Sequence, residues 1–173
     1  MRLVLNQETY DVVVGEIVPA ARRFLWIFTA DIKDLHVANA RGTFVPFLEL
    51  LVQKLRDGVE VRLVHAKEPG PRFREDFDRY EEFIASDLFE RLLCPRMHMK
   101  LVVADGELAY VGSANLTGAG MGAKSEGRRN FEAGFLLDDP KMIRELLGFT
   151  DTFFMGDYCE SCQRRDVCPE PIR

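Results

Sequence analysis

Between residues 98 and 115 the chain reads HMKLVVADGELAYVGSAN, so that a histidine, a lysine, an aspartate, a Gly-Ser pair and an asparagine recur as H-x-K-x4-D-x6-G-S-x-N. Six residue types at fixed spacing would arise by chance on the order of once per million chains of average composition. The stretch also dictates its own local structure. Apolar runs flank Asp105-Gly106, the dipeptide that most strongly signals a two-residue hairpin turn. Side chains alternate faces along a strand, so His98 and Lys100 are expected on one side. Met99, Leu101 and Val103 then point the other way, where a helix can cover them. The returning strand, Leu108 to Val111, brings Gly112, Ser113 and Asn115 back toward His98. A ring nitrogen able to act as a nucleophile and a cation are thereby gathered with a hydroxyl and a carboxamide, both suitable donors to a phosphate.

This pattern resembles the signature of the phospholipase D superfamily, nuclease type. The resemblance implies that His98 attacks phosphorus, that Lys100 and Asn115 hold the nonbridging oxygens, and that Ser113 supports them, without a catalytic metal. Glu132, in Asn130-Phe131-Glu132, matches the family's downstream carboxylate and is expected to bond the far ring nitrogen of His98 and fix its tautomer. Asp105 completes the family pattern, but an Asp before Gly also suits a hairpin, so a structural reading stands beside the catalytic one. A lone histidine on a strand is by default a satisfied core residue; five partners at the right spacing weigh against that for His98. The stretch GAGMGAKSEGRRN, between Asn115 and Glu132, is longer and more basic than the compact form of the pattern. Its Lys124, Arg128 and Arg129 are candidate substrate-binding cations.

His36 and His65 are the only other histidines, and neither lies in a second copy of the signature. Superfamily members with one signature pair two identical subunits about a two-fold axis. The resemblance therefore implies a homodimer in which the partner's nucleophilic histidine protonates the leaving oxygen. The length agrees, since 173 residues fit one domain but not two catalytic halves.

A charged fraction of 29% and a hydrophobic fraction of 47% place the chain among globular proteins. Its net charge of −5 argues against a protein that coats nucleic acid by charge alone. The start lacks a signal-like apolar core, and no apolar run is long enough to span a bilayer, so a cytoplasmic protein without membrane contact is expected. The hydrophobic periodicity predicts a helix from about Gln7 to Arg23 and a buried strand over Phe24 to Phe28. A helix capped by Thr43 is expected through Leu55, then a strand over Val59 to Val64. Residues 72–93 read as one helix, with Phe73, Phe77, Tyr80, Phe83, Ile84 and Leu88 on its apolar stripe. The hairpin, a strand over FEAGFLL and a last helix from Pro140 complete the order. The expected fold is an α/β sandwich, a mixed, largely parallel sheet flanked by helices. Residues 1–155 form the catalytic domain and residues 156–173 a cysteine-rich tail.

In that tail CESCQRRDVCP places Cys159, Cys162 and Cys168 in a C-x2-C-x5-C-P run, with Cys94 as the candidate fourth ligand. Soft thiolates select zinc or iron–sulfur. The run resembles the cluster-binding tail of iron–sulfur exonucleases of the helicase-nuclease type, where a distant upstream cysteine completes the set. A [4Fe–4S] cluster, zinc and free thiols stay open; one pair with a wider third spacing favours the cluster over zinc. Nuclease action on DNA or RNA is the expected function. Phospholipase or phosphatidyl transferase activity and non-catalytic nucleic-acid binding are the alternatives.

Overall fold

The computed structural model describes residues 1–33, 35–39 and 41–172. Their strands are β1 (Arg2–Leu5), β2 (Phe24–Thr29), β3 (His36–Ala38), β4 (Phe44–Pro46), β5 (Glu60–His65), β6 (Phe89–Leu93), β7 (Leu101–Ala104), β8 (Leu108–Gly112) and β9 (Ala133–Leu137). Seven of these form one sheet in the order β1-β9-β8-β7-β2-β5-β6, and β3 pairs with β4 separately. The sheet is mixed and flanked by helices, as expected. By direction β1, β8, β2, β5 and β6 run one way, and only β7 and β9 run the other. By ladder, β2-β5 and β5-β6 are parallel, and the other four pairings are antiparallel. Helical crossovers build the parallel half, whereas the tight turn after β7, in which Glu107 N donates to Ala104 O at 3.0 Å, can join only antiparallel neighbours.

Each sheet face has its own apolar cluster. On one face Leu25, Ile27, Val61, Leu63 and Val102 pack with Val13 and Ile17 of the N-terminal helix and with Leu51 and Leu55 of the helix Phe47–Arg56. On the other, Phe28, Val64, Leu101 and Val103 pack with Ile143 and Leu147 of the C-terminal helix Pro140–Phe154. This is the alternation expected for β7. Asp139 caps the C-terminal helix by accepting the amides of Lys141 and Met142 at 3.0 and 2.9 Å. The Arg62 guanidinium ties that helix to the sheet, lying 4.1 Å from the Trp26 ring and 3.8 Å from the Phe154 ring.

The N-terminal helix spans residues 8–20, inside the expected limits, and is π-helical over Asp11–Ile17. The buried Lys54 ammonium donates to Pro19 O and Ala21 O at 3.0 and 2.9 Å, satisfying carbonyls at its end.

Two sequence expectations are corrected. Thr43 caps no helix: Phe44–Pro46 pairs with β3, and the helix begins only at Phe47, after Pro46. The Thr43 amide instead donates to Asn39 Oδ1 at 3.0 Å, closing a turn. Residues 72–93 are not one helix but Pro71–Phe77, Glu82–Ala85 and strand β6. Phe73, Phe77 and Phe83 are buried as expected, with Phe77 and Phe83 stacked at 4.6 Å, but Ile84 is 81% exposed and Leu88 lies partly open. The helical stripe ends there because Phe89–Leu93 completes the ladder along the edge of β5, a long-range demand that local periodicity does not carry.

Candidate active site

His98 and Lys100 precede β7, in an extended segment continuing its line. The Gly112 amide donates to Lys100 O at 3.1 Å, prolonging the ladder with β8. His98 is exposed and Lys100 half-buried. The Lys100 ammonium sits 3.2 Å from Nδ1 and 3.5 Å from Nε2 of His98, and donates to His98 O at 2.9 Å. Burial lowers the pKa of Lys100, and the nearby Glu132 carboxylate opposes that shift. His98 and Lys100 therefore share one surface, as their spacing requires.

The hairpin turn is of the expected kind, with positive φ at both Asp105 (55°) and Gly106 (73°). Beyond it, β8 delivers Ser113 against β9. Ser113 N donates to Ala133 O at 3.0 Å, Ala133 N donates to Ser113 Oγ at 3.1 Å, and Ser113 Oγ donates to Glu132 Oε2. Gly112 is required at this crossing. A methyl group there would collide with the Tyr110 hydroxyl and come within 2.8 Å of Ala133 O. Gly134, its cross-strand partner, is confined likewise, since a Cβ would lie 2.7 Å from the Tyr110 ring.

Glu132 is buried at the site, but not in the role expected from its position. Its oxygens take the Ser113 hydroxyl and the Asn130 amide, the latter at 2.9 Å, and not the His98 ring. Its backbone is held by Asn6, whose Oδ1 accepts the Glu132 amide at 3.1 Å and whose amide donates to Glu132 O at 2.8 Å.

Asn115 is oriented by residues that the sequence did not single out. Its Oδ1 accepts from Asp31 N at 3.1 Å and lies 3.3 Å from Thr29 Oγ1, whose hydroxyl proton has a nearer acceptor in Asp31 O at 2.9 Å and which itself accepts Leu116 N at 3.2 Å. With its oxygen engaged, Asn115 offers its amide hydrogens to an incoming anion. Phe28 pairs with Leu101, which sets Thr29 at the end of β2 beside Lys100. The available signal for Thr29 was a single polar residue closing the otherwise apolar FLWIFT strand. Asp31 also gathers cations, with Lys33 Nζ at 3.0 Å and Lys67 Nζ at 3.8 Å.

Other expected residues fall elsewhere. Asp105 lies at the far end of β7 from His98. Its carboxylate accepts the amides of Arg22, Arg23 and Phe24, each at 2.8 Å. Burial raises its pKa, but these three amides and the Arg23 charge outweigh burial and leave it lowered. Of the two readings open for Asp105, these contacts belong to the structural one: it fixes the entry to β2. Arg129 donates to Lys124 O and to Gln7 Oε1, the latter at 2.6 Å, and Arg128 to Ser125 Oγ at 3.0 Å, so both also order their own loop. Lys124 lines an open groove with Lys33 and Arg72. His65 is fully buried on β5, and burial lowers its pKa to about 4. Its Nε2 accepts from Arg91 Nε at 2.9 Å, so its proton sits on Nδ1, 2.8 Å from Lys67 O.

The sequence matches the family described as cardiolipin synthase, PLD-like domain, over residues 18–151. Among solved structures, NucT from Helicobacter pylori is similar with a TM-score of 0.58 at 11% identity, over 87% of this chain and 92% of that one. Nuc from Salmonella typhimurium, a phospholipase D family member, is similar with a TM-score of 0.57 at 18% identity, over 86% and 89%. TrmBL2, an archaeal chromatin protein described as showing a novel mode of DNA binding, is similar with a TM-score of 0.57 at 12% identity, over 88% of this chain and 50% of that one. At these identities the structural likeness establishes the fold. No curated protein matches the sequence significantly. Because the family match takes in both the HxK segment and Glu132, the chain belongs to the phospholipase D-like domain family and is a phosphodiesterase-type member of that superfamily.

Proposed function

We propose that the protein is a metal-independent nuclease that cleaves DNA or RNA through a covalent phosphohistidine on His98. The observation that carries this reading is the exposed His98 ring with the Lys100 ammonium 3.2 Å away, at the strand ends where Ser113 and Asn115 also emerge. A ring nitrogen of His98 attacks phosphorus and forms the N–P bond as the bond to the leaving oxygen breaks. Lys100 and the Asn115 amide take the negative charge that grows on the nonbridging oxygens. Ser113, held by Glu132, braces this wall. Water then attacks the phosphohistidine, freeing His98. Lys33 and Lys124 supply charge for the flanking phosphates of a polymer.

A proton for the leaving oxygen must come from a second acid, and this role falls to His98 of a second copy in a homodimer. The sheet favours such pairing. Leu3 and Phe135 are paired across β1 and β9 and are 53% and 42% exposed, and Phe131, next to Glu132, is 97% exposed. An apolar strip of this kind, running along the sheet toward the site, suits burial against a copy of itself.

The test is cleavage of single- and double-stranded DNA and RNA in EDTA by wild type and His98→Ala. Wild-type cleavage that the variant lacks by several orders of magnitude, at unchanged Tm, is the expected result. No cleavage of any polymer, together with hydrolysis of a phosphatidyl substrate, would overturn the nuclease reading while keeping the chemistry.

A further inference from the structure

All four cysteines line a single cavity of about 480 Å³, which His98 also borders. None is disulfide-bonded. Cys94 follows β6, and the other three come from the C-x2-C-x5-C tail. Contacts that involve no thiol hold the tail there. The Glu170 carboxylate accepts Leu93 N at 2.7 Å, and Arg164 donates to Pro95 O at 3.0 Å. Ile172 packs into the apolar cluster under the C-terminal helix. The fold itself therefore delivers four soft ligands to one place, among apolar walls that include Leu92, Met97, Phe149 and Phe153.

The geometry of the ligands selects between the metals that thiolates favour. A tetrahedral zinc draws four sulfurs to a common centre, each at about 2.3 Å. Among the described residues, no three His, Cys, Asp or Glu side chains converge closely enough to hold one ion. The four cysteines line one cavity of about 480 Å³, room for a cluster in which each sulfur binds a different iron at the corner of a cube, and their C-x2-C-x5-C order pairs one close step with one wider step.

We propose that Cys94, Cys159, Cys162 and Cys168 bind a [4Fe–4S] cluster in this cavity. Each thiol loses its proton and becomes the ligand of one iron, so the assembly releases protons and needs no other side chain. The cluster fastens the tail to the turn in which Met97 N donates to Cys94 O at 2.8 Å, immediately before the nucleophile. Its role is structural, and it is independent of the nuclease reading.

The experiment is anaerobic purification of the full chain, reconstitution with iron and sulfide or with zinc alone, and assay of metal and sulfide per chain. The expected result is iron and sulfide in four-to-four stoichiometry, visible absorbance bleached by dithionite, and a Tm higher than that of the metal-free protein. Cys162→Ser should lose the iron, the sulfide and the added Tm. Stoichiometric zinc without sulfide, or wild type that takes up neither metal after reconstitution, would overturn the proposal. If Cys162→Ser does not fold, the reconstituted wild type decides alone. His98→Ala, carried in parallel, should keep the full cluster.

Discussion

Asp105 occupies the fourth place in the H-x-K-x4-D run, yet its neighbours are three backbone amides and not the reacting groups. Removing its side chain orphans three donors at the entry to β2, at a cost of about 1–3 kcal/mol or more. Asp105→Ala is thus expected to lower Tm by several degrees while cleavage below the transition keeps wild-type kcat. A thousandfold loss of kcat with unchanged Tm would return Asp105 to the catalytic set. Its lowered pKa adds an acid sensitivity. The stability it contributes is present above the unfolded carboxylate pKa and is lost as pH falls through the lower folded value. Thr29 teaches the complementary lesson, since one hydroxyl engages the Asn115 carboxamide and the Leu116 amide.

At the scale of elements, the crossing of β8 and β9 rests on two glycines because the Tyr110 ring lies across both. Gly112→Ala should cost about 1–3 kcal/mol by overpacking. Adding Tyr110→Phe removes the hydroxyl that the methyl would strike, so the double variant should recover part of the loss in urea denaturation. No recovery would show that the clash lies with the ring edge at Cζ, 2.6 Å from the added carbon, or with Ala133 O, and not with the hydroxyl. Strand β5 ends in His65, buried and neutral against Arg91 on β6. Its folded pKa of about 4 lies below the unfolded value near 6.5, so the unfolded chain binds the extra proton between them. Stability is unaffected above that window and declines as pH falls through it, by about 3 kcal/mol in total. Urea midpoints should therefore drop from neutral pH to about pH 5, and His65→Gln should flatten that slope. A wild-type midpoint level across the window would contradict the assignment.

At the scale of the whole molecule, the proposed mechanism with one signature per chain would take its leaving-group acid from a second copy, and the exposed strip over β1 and β9 is the surface proposed for that contact. Phe135→Glu places charge on that strip, away from the reacting groups. Sedimentation should show wild-type dimers and variant monomers, with EDTA-resistant cleavage falling at least tenfold. A monomeric wild type with full activity would remove the shared site.

The sequence by itself determined the hairpin, its Asp-Gly turn, the common surface of His98 and Lys100, the apolar strands and the last helix, because these follow from local periodicity and turn chemistry. Tertiary structure decided what depends on distant partners. β6 is a strand because an edge of β5 needed pairing, and Asp31 and Thr29 together orient Asn115 because β2 lies beside β7. Glu132 serves Ser113 because β8 and β9 are neighbours. Four cysteines surround one cavity because residues near the C-terminus fold back onto the end of β6. Such pairings are set by packing and hydrogen bonds between segments far apart in the chain, and no short window of sequence contains both sides of them.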